Sequence, residues 1–87
     1  MIRINNATES GFHDYLLNNG YARTTCADYI HRLRNIKPLD QLIDEDLDDY
    51  ICEYENGSLK DFNNKKHKAP SSALKRFKEF KNTLITP

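Results

Sequence analysis

The sequence predicts an all-α fold, a compact bundle of four helices, and three observations carry that prediction. Apolar residues recur at three- and four-residue spacing in four separate stretches, which is the period of one buried helix face. Helix-stopping residues fall between those stretches, at Asn19-Gly20, Pro38 and Asn56-Gly57-Ser58. No window alternates apolar and polar residues for long enough to read as a strand; Met1 to Ile4 begins such a pattern and stops too soon to decide.

The first helix follows Ser10, with Phe12, Tyr15 and Leu16 on its inner face, and Gly20 closes it because glycine takes a positive φ without a Cβ clash. After the connector Tyr21-Ala22-Arg23, Thr24 or Thr25 is placed to cap a second helix whose stripe is Cys26, Tyr29, Ile30 and Leu33. A third helix has Asp44 as its natural N-cap and Leu47, Tyr50, Ile51 and Tyr54 inside. Asp44, Glu45 and Asp46 then sit at the positive end of its dipole. From Leu59 to Ala69 the chain is polar and lysine-rich around Asn63-Asn64, which reads as a surface loop tucked down by Leu59 and Phe62. Pro70 suits the first turn of a fourth helix, with Ala73, Leu74, Phe77, Phe80 and Leu84 inside and Lys75, Arg76, Lys78 and Lys81 outside. The reading is of one domain over residues 1–87, with 1–9 and 83–87 as looser termini.

Length and composition exclude much else. Eighty-seven residues, 38% of them apolar, are too few for a dinucleotide fold or a barrel. The chain has no long apolar run and no signal-peptide core, so the expectation is a soluble, cytoplasmic protein without a membrane partner. Cys26 and Cys52 lack CxxC spacing and read as small buried side chains rather than a disulfide or zinc framework. His13, His31 and His67 show no HExxH or paired spacing and read as surface residues. Gly11, Gly20 and Gly57 cannot build a phosphate loop, and the acidic run lacks the EF-hand order. No catalytic residue, metal or cofactor is expected, and the chain does not read as an enzyme.

Charge is where the sequence speaks to function. Thirteen basic and thirteen acidic residues cancel, yet residues 1–39 carry a net +2, residues 40–55 a net −8 and residues 60–81 a net +6. Phosphate binding needs cations on one rigid surface, which the fourth helix offers through Lys75, Arg76, Lys78 and Lys81, with Lys65, Lys66 and Lys68 just before it. Arg23, Thr24 and Thr25 form a second cluster where a helix N-terminus can receive a phosphate. The tyrosines Tyr15, Tyr29, Tyr50 and Tyr54 lie on apolar stripes and read as packing residues. The acidic residues Asp44, Glu45, Asp46, Asp48, Asp49 and Glu53 are either a solvated helix face or a polyanionic surface for a protein partner.

The order of these pieces resembles a known family. Phe12-x-x-Tyr15-Leu16, then Gly20-Tyr21-Ala22-x-x-Thr25 with Tyr29 and Leu33, then Leu42-Ile43-Asp44-x-Asp46-Leu47 with Tyr50-Ile51, and Ser72-Ala73-Leu74-Lys75-x-Phe77-x-x-Phe80 are similar to the SAM-like, core-binding domain of phage integrases and other tyrosine recombinases. The resemblance implies a SAM-like four-helix bundle that clamps double-stranded DNA during integration and recombination. It places DNA contacts at Arg23, Thr24, Thr25, Arg32 and the Lys75, Arg76, Lys78 group. The family's catalytic domain has no counterpart in this sequence, so no strand-cleaving residue is carried over. Two uses fit the resemblance: a DNA-binding module that works with a recombinase catalytic domain in cis, or a stand-alone regulator that binds a protein in trans through its acidic helix.

Overall fold

The computed structural model describes residues 7–85, with side chains described as far as Thr83; Met1–Ile4 and the side chain of Leu84 lie outside the described residues. The fold is all-α. Its elements are α1 (Ala7–Asn18), α2 (Arg23–Ile36), a 3-10 turn (Leu39–Gln41), α3 (Asp44–Asn56), α4 (Lys60–Lys65) and α5 (Ala69–Ile85), with no strand among the described residues. Where four helices were expected there are five, because α4 forms inside the segment read as a loop. The described residues divide into two compact units between Gln41 and Leu42, where the sequence reading has one domain.

In the first unit α1 packs on α2 and meets the 3-10 turn, around fully buried Phe12, Leu16, Cys26, Ile30 and Leu33 together with Leu39. The helix α1 starts at Ala7, ahead of Ser10, and its first turn buries Glu9 at 2% exposure. A buried carboxylate needs a counter-charge. Arg34 supplies it from α2, donating from Nε to Glu9 Oε2 at 2.9 Å and from Nη2 to Oε1. That two-pronged hydrogen bond to Glu9 raises the Arg34 pKa further above its ordinary value. At the other end of α1, Gly20 takes φ 88°; its N–H donates to Leu17 O and the Tyr21 N–H to Leu16 O, each at 3.1 Å. This pair of bonds is the Schellman closure.

The start of α2 differs from expectation. Extended Ala22 holds the N-cap position without a side-chain bond, and Thr24 and Thr25 lie within the first turn rather than capping it. The helix is fixed instead by its inner stripe, and the Cys26 N–H donates to Ala22 O at 3.0 Å.

In the second unit α3 packs against both α4 and α5, and α4 against α5, over Leu42, Leu47, Tyr54, Ala73, Leu74, Phe77 and Phe80. Tyr50 and Ile51 of the expected stripe are only half-buried. Ile43, not Asp44, occupies the N-cap of α3, and Asp44, Glu45 and Asp46 fill its first turn, where their charge favours the dipole. At the far end Gly57 lets the chain fold back tightly: a Cβ there would lie 2.9 Å from the Glu53 Cα. The backbone N–H groups of Gly57 and Leu59 both reach Glu53 O, at 3.1 and 3.2 Å.

The link from α4 to α5 is short. His67 and Lys68 take φ 55° and 61°, left-handed backbone that residues other than glycine adopt at a cost. Buried Asn63 holds this link: its Nδ2 donates to Ser71 Oγ at 3.0 Å and its Oδ1 accepts the Ser71 N–H at 3.2 Å, while Ser71 Oγ donates to Lys68 O at 3.1 Å. Asn63 therefore takes the place on α4 that an apolar residue has on the other helices, so periodicity in apolar residues alone does not reveal the element. The expected looser ends also carry helix, Ala7 to Glu9 in α1 and Thr83 to Ile85 in α5. Among the described residues no helix is long and apolar enough to cross a membrane.

Candidate nucleic-acid interface

The lysines of α5 recur every third residue from Lys75 to Lys81, a spacing that keeps them near one side of a helix. That side faces the acidic helix α3. Lys75 Nζ donates to Glu55 Oε2 at 2.6 Å, and Lys78 Nζ donates to Asp48 Oδ1. Lys81 Nζ donates to Leu42 O, lies 3.7 Å from Asp44 Oδ1 and sits 5.9 Å from the centre of the Phe77 ring. Arg76 pairs along its own helix with Glu79 Oε2 at 3.1 Å. The result is an antiparallel ladder in which Glu55, Asp48 and Asp44 of the negative block meet Lys75, Lys78 and Lys81 of the positive one. The row of cations expected to face a phosphate backbone thus has intramolecular carboxylate partners. A shallow groove of about 360 Å³ beside the ladder is lined by both signs, Asp48 and Glu79 with Lys75 and Lys78. Such a lining presents no uniform potential to an anion.

The other lysines are placed differently. Lys60, Lys65, Lys66 and Lys68 are exposed on α4 and the turn after it, and among the described residues none has a carboxylate ion-pair partner. Phe62 stands among them at 45% exposure. Its expected role in tucking the segment down passes to Leu59, which is half-buried, and to buried Asn63. The Phe62 ring packs against Tyr54 at a tilt of 41° with centroids 6.3 Å apart, and Lys66 Nζ stands over it, 6.0 Å from the ring centre. Phe62, Lys65 and Lys66 are related by i, i+3 and i+4, one face of a helix. The Asn63–Ser71 bonds and the two left-handed residues fix the turn that carries Lys66 and Lys68.

The remaining candidates fall elsewhere. In the first unit Arg23 and Thr24 are exposed and Thr25 half-buried, while Arg32 Nε donates to Asp28 Oδ2 at 2.8 Å, an i, i+4 pair. Among the acidic candidates Asp44 and Asp48 belong to the ladder, and Glu53 Oε2 accepts the Ser58 hydroxyl at 2.7 Å. Glu45 and Asp49 are exposed, and Asp46 is half-buried. Cys52 is exposed on α3, contrary to the expectation that both cysteines are buried. Cys26 is buried, which raises its thiol pKa, and Sγ lies 3.9 Å from Tyr21 O. Among the described residues no three or more His, Cys, Asp or Glu side chains gather as a metal site.

Sequence reasoning passed over Lys60 and Phe62 as site residues. The signal for them was present in the helical spacing of Leu59, Phe62, Asn63 and Lys66, masked by the polarity of Asn63. Among the described residues, fold and surface together define an all-α chain with a helix pair joined by a charge ladder and a cationic turn without carboxylate partners around an exposed aromatic ring. Comparisons with protein-family models, curated proteins and solved structures find no match to this chain.

Proposed function

We propose that this chain is a DNA-binding module, stoichiometric rather than catalytic, that holds backbone phosphates on the α4 turn through Lys60, Lys65, Lys66 and Lys68. The observation that carries the reading is the contrast between these exposed lysines and the carboxylate-paired Lys75, Lys78 and Lys81 of α5. A lysine already paired with a carboxylate gains little by exchanging it for a phosphate, whereas an unpaired one releases counterions from the nucleic acid. The resemblance to recombinase core-binding domains supports DNA as the partner and puts its contacts on Lys75, Arg76 and Lys78; the carboxylate pairing of that helix is the reason for placing them instead on the turn before it. Lysine acts as a point charge, so this contact positions the backbone without reading sequence.

Titration of a labelled duplex at two salt concentrations tests the reading. Lys65→Ala, Lys66→Ala and Lys68→Ala are each expected to weaken binding on every sequence and to reduce the salt slope by about one. Lys78→Ala is expected to leave binding unchanged. Salt-insensitive binding, or equal losses from Lys78→Ala and the turn variants, would remove the turn from the account. A second reading has an observation of its own: Glu45, Asp49 and Glu53 recur every four residues along α3 and are exposed, a face suited to a basic protein. Under that reading the duplex is not bound, and Glu45→Gln with Asp49→Asn slows association with a cationic partner in a salt-dependent way.

A further inference from the structure

We propose that Phe62 makes the cationic turn a stacking site for an unpaired base, so that the preferred ligand is single-stranded DNA. This rests on the DNA-binding reading and names the strand state it selects. Phe62 is 45% exposed, and the Tyr54 ring tilted against it 6.3 Å away restricts its swing. Lys65 and Lys66 share its helical face, with Lys66 Nζ 6.0 Å from the ring centre. The ammonium stands over the ring, so a base stacking on that face displaces the exposed Lys66 head to the edge, where it and Lys65 meet the flanking phosphates, the pairing of aromatic platform and positive charge that single strands use. A duplex fits this surface less well. Its base faces are stacked away, and its base edges lie in a groove that α4, only six residues long, is too short to fill. Lysine in any case lacks the bidentate geometry that reads base edges.

The test is fluorescence anisotropy of labelled oligonucleotides of one length, as single strand and as duplex, with the full chain at low and moderate salt. The single strand is expected to bind tighter. Phe62→Ala is expected to weaken the single strand by roughly 5- to 150-fold, the range measured for loss of one aromatic platform, and to change the duplex little. Phe62→Tyr keeps the π face and is expected to retain the preference, while Phe62→Leu keeps apolar bulk and is expected to lose it. Circular dichroism of each variant separates this from loss of helix. Equal or tighter duplex binding, or equal losses on both ligands from Phe62→Ala, would overturn the stacking site and leave phosphate binding in place. Absence of binding to either ligand at low salt would overturn both readings. Phe62-dependent association with phosphatidylglycerol vesicles in place of DNA would put an anionic membrane surface where the nucleic acid now stands.

Discussion

Glu9 is a carboxylate almost wholly removed from water, and the guanidinium of Arg34 is what makes that position tolerable. Deleting one partner of a buried pair costs about 3–5 kcal/mol, while replacing both by apolar side chains is often neutral. Arg34 is partly exposed, so Arg34→Ala is expected near the lower end, read from the urea midpoint, and Glu9→Leu with Arg34→Met is expected to recover most of the loss. The two cysteines give a second measurement at this scale. Cys52 is expected to react with a thiol reagent in the native protein and Cys26 only after unfolding, since burial holds the Cys26 proton on. Because the folded Cys26 pKa lies above the unfolded one, its contribution to stability is full below the ordinary thiol value of about 8.5 and is lost as pH rises through the folded value. Simultaneous fast modification of both thiols would contradict the buried position of Cys26.

At the scale of elements, the ladder between α3 and α5 separates neighbouring aspartates. Asp48 meets Lys78, whereas Asp49 on the same turn, exposed like it, takes no part in the ladder. Exposed ion pairs contribute roughly 0.2–1 kcal/mol, so Asp48→Asn is expected to cost up to that amount and Asp49→Asn to stay within about 0.5 kcal/mol. A double-mutant cycle of Asp48→Asn with Lys78→Ala should return the coupling; a value of zero would mean that the two charges do not meet in solution. The apolar seam beneath is stronger, and Phe77→Ala, at a fully buried ring, is expected to cost about 3–5 kcal/mol. The stripe of α5 was legible from Ala73, Leu74, Phe77 and Phe80 because each is apolar and buried. The helix α4 was not, because the residue it buries is Asn63, whose hydrogen bonds to Ser71 have no trace in a hydropathy pattern. Capping was misread for a related reason: Ala22 and Ile43 leave the helix starts to backbone bonds, so Thr24, Thr25 and Asp44 shift inward by a residue or more.

For the whole molecule, net neutrality conceals two kinds of lysine among the described residues, those of α5 paired with carboxylates and those of the α4 turn not. The charge blocks were legible from counting, but their mutual pairing was not, because it depends on α3 and α5 running antiparallel in one unit. Neighbouring elements pack on one another, α1 with α2 in the first unit and α3 with α4 and α4 with α5 in the second, and the most extensive pairing, α3 with α5, spans only the short α4 segment. Local contacts close short loops, so the main refolding phase is expected within microseconds to milliseconds by stopped-flow or temperature jump. A main phase lasting seconds would mean that distant contacts govern folding.

Under the proposed DNA-binding role, the left-handed backbone at Lys68 sets two demands on the turn against each other. At φ 61° glycine is the residue that the main chain prefers, and relief of the strain would be worth roughly 1–2 kcal/mol. Lys68→Gly is accordingly expected to raise the thermal midpoint while deleting one of the uncompensated cations. A library of variants selected for heat resistance would drift toward glycine there, and one selected for retention on DNA would hold lysine. Opposite drift at one codon would identify the turn as a place where this chain trades durability for its ligand.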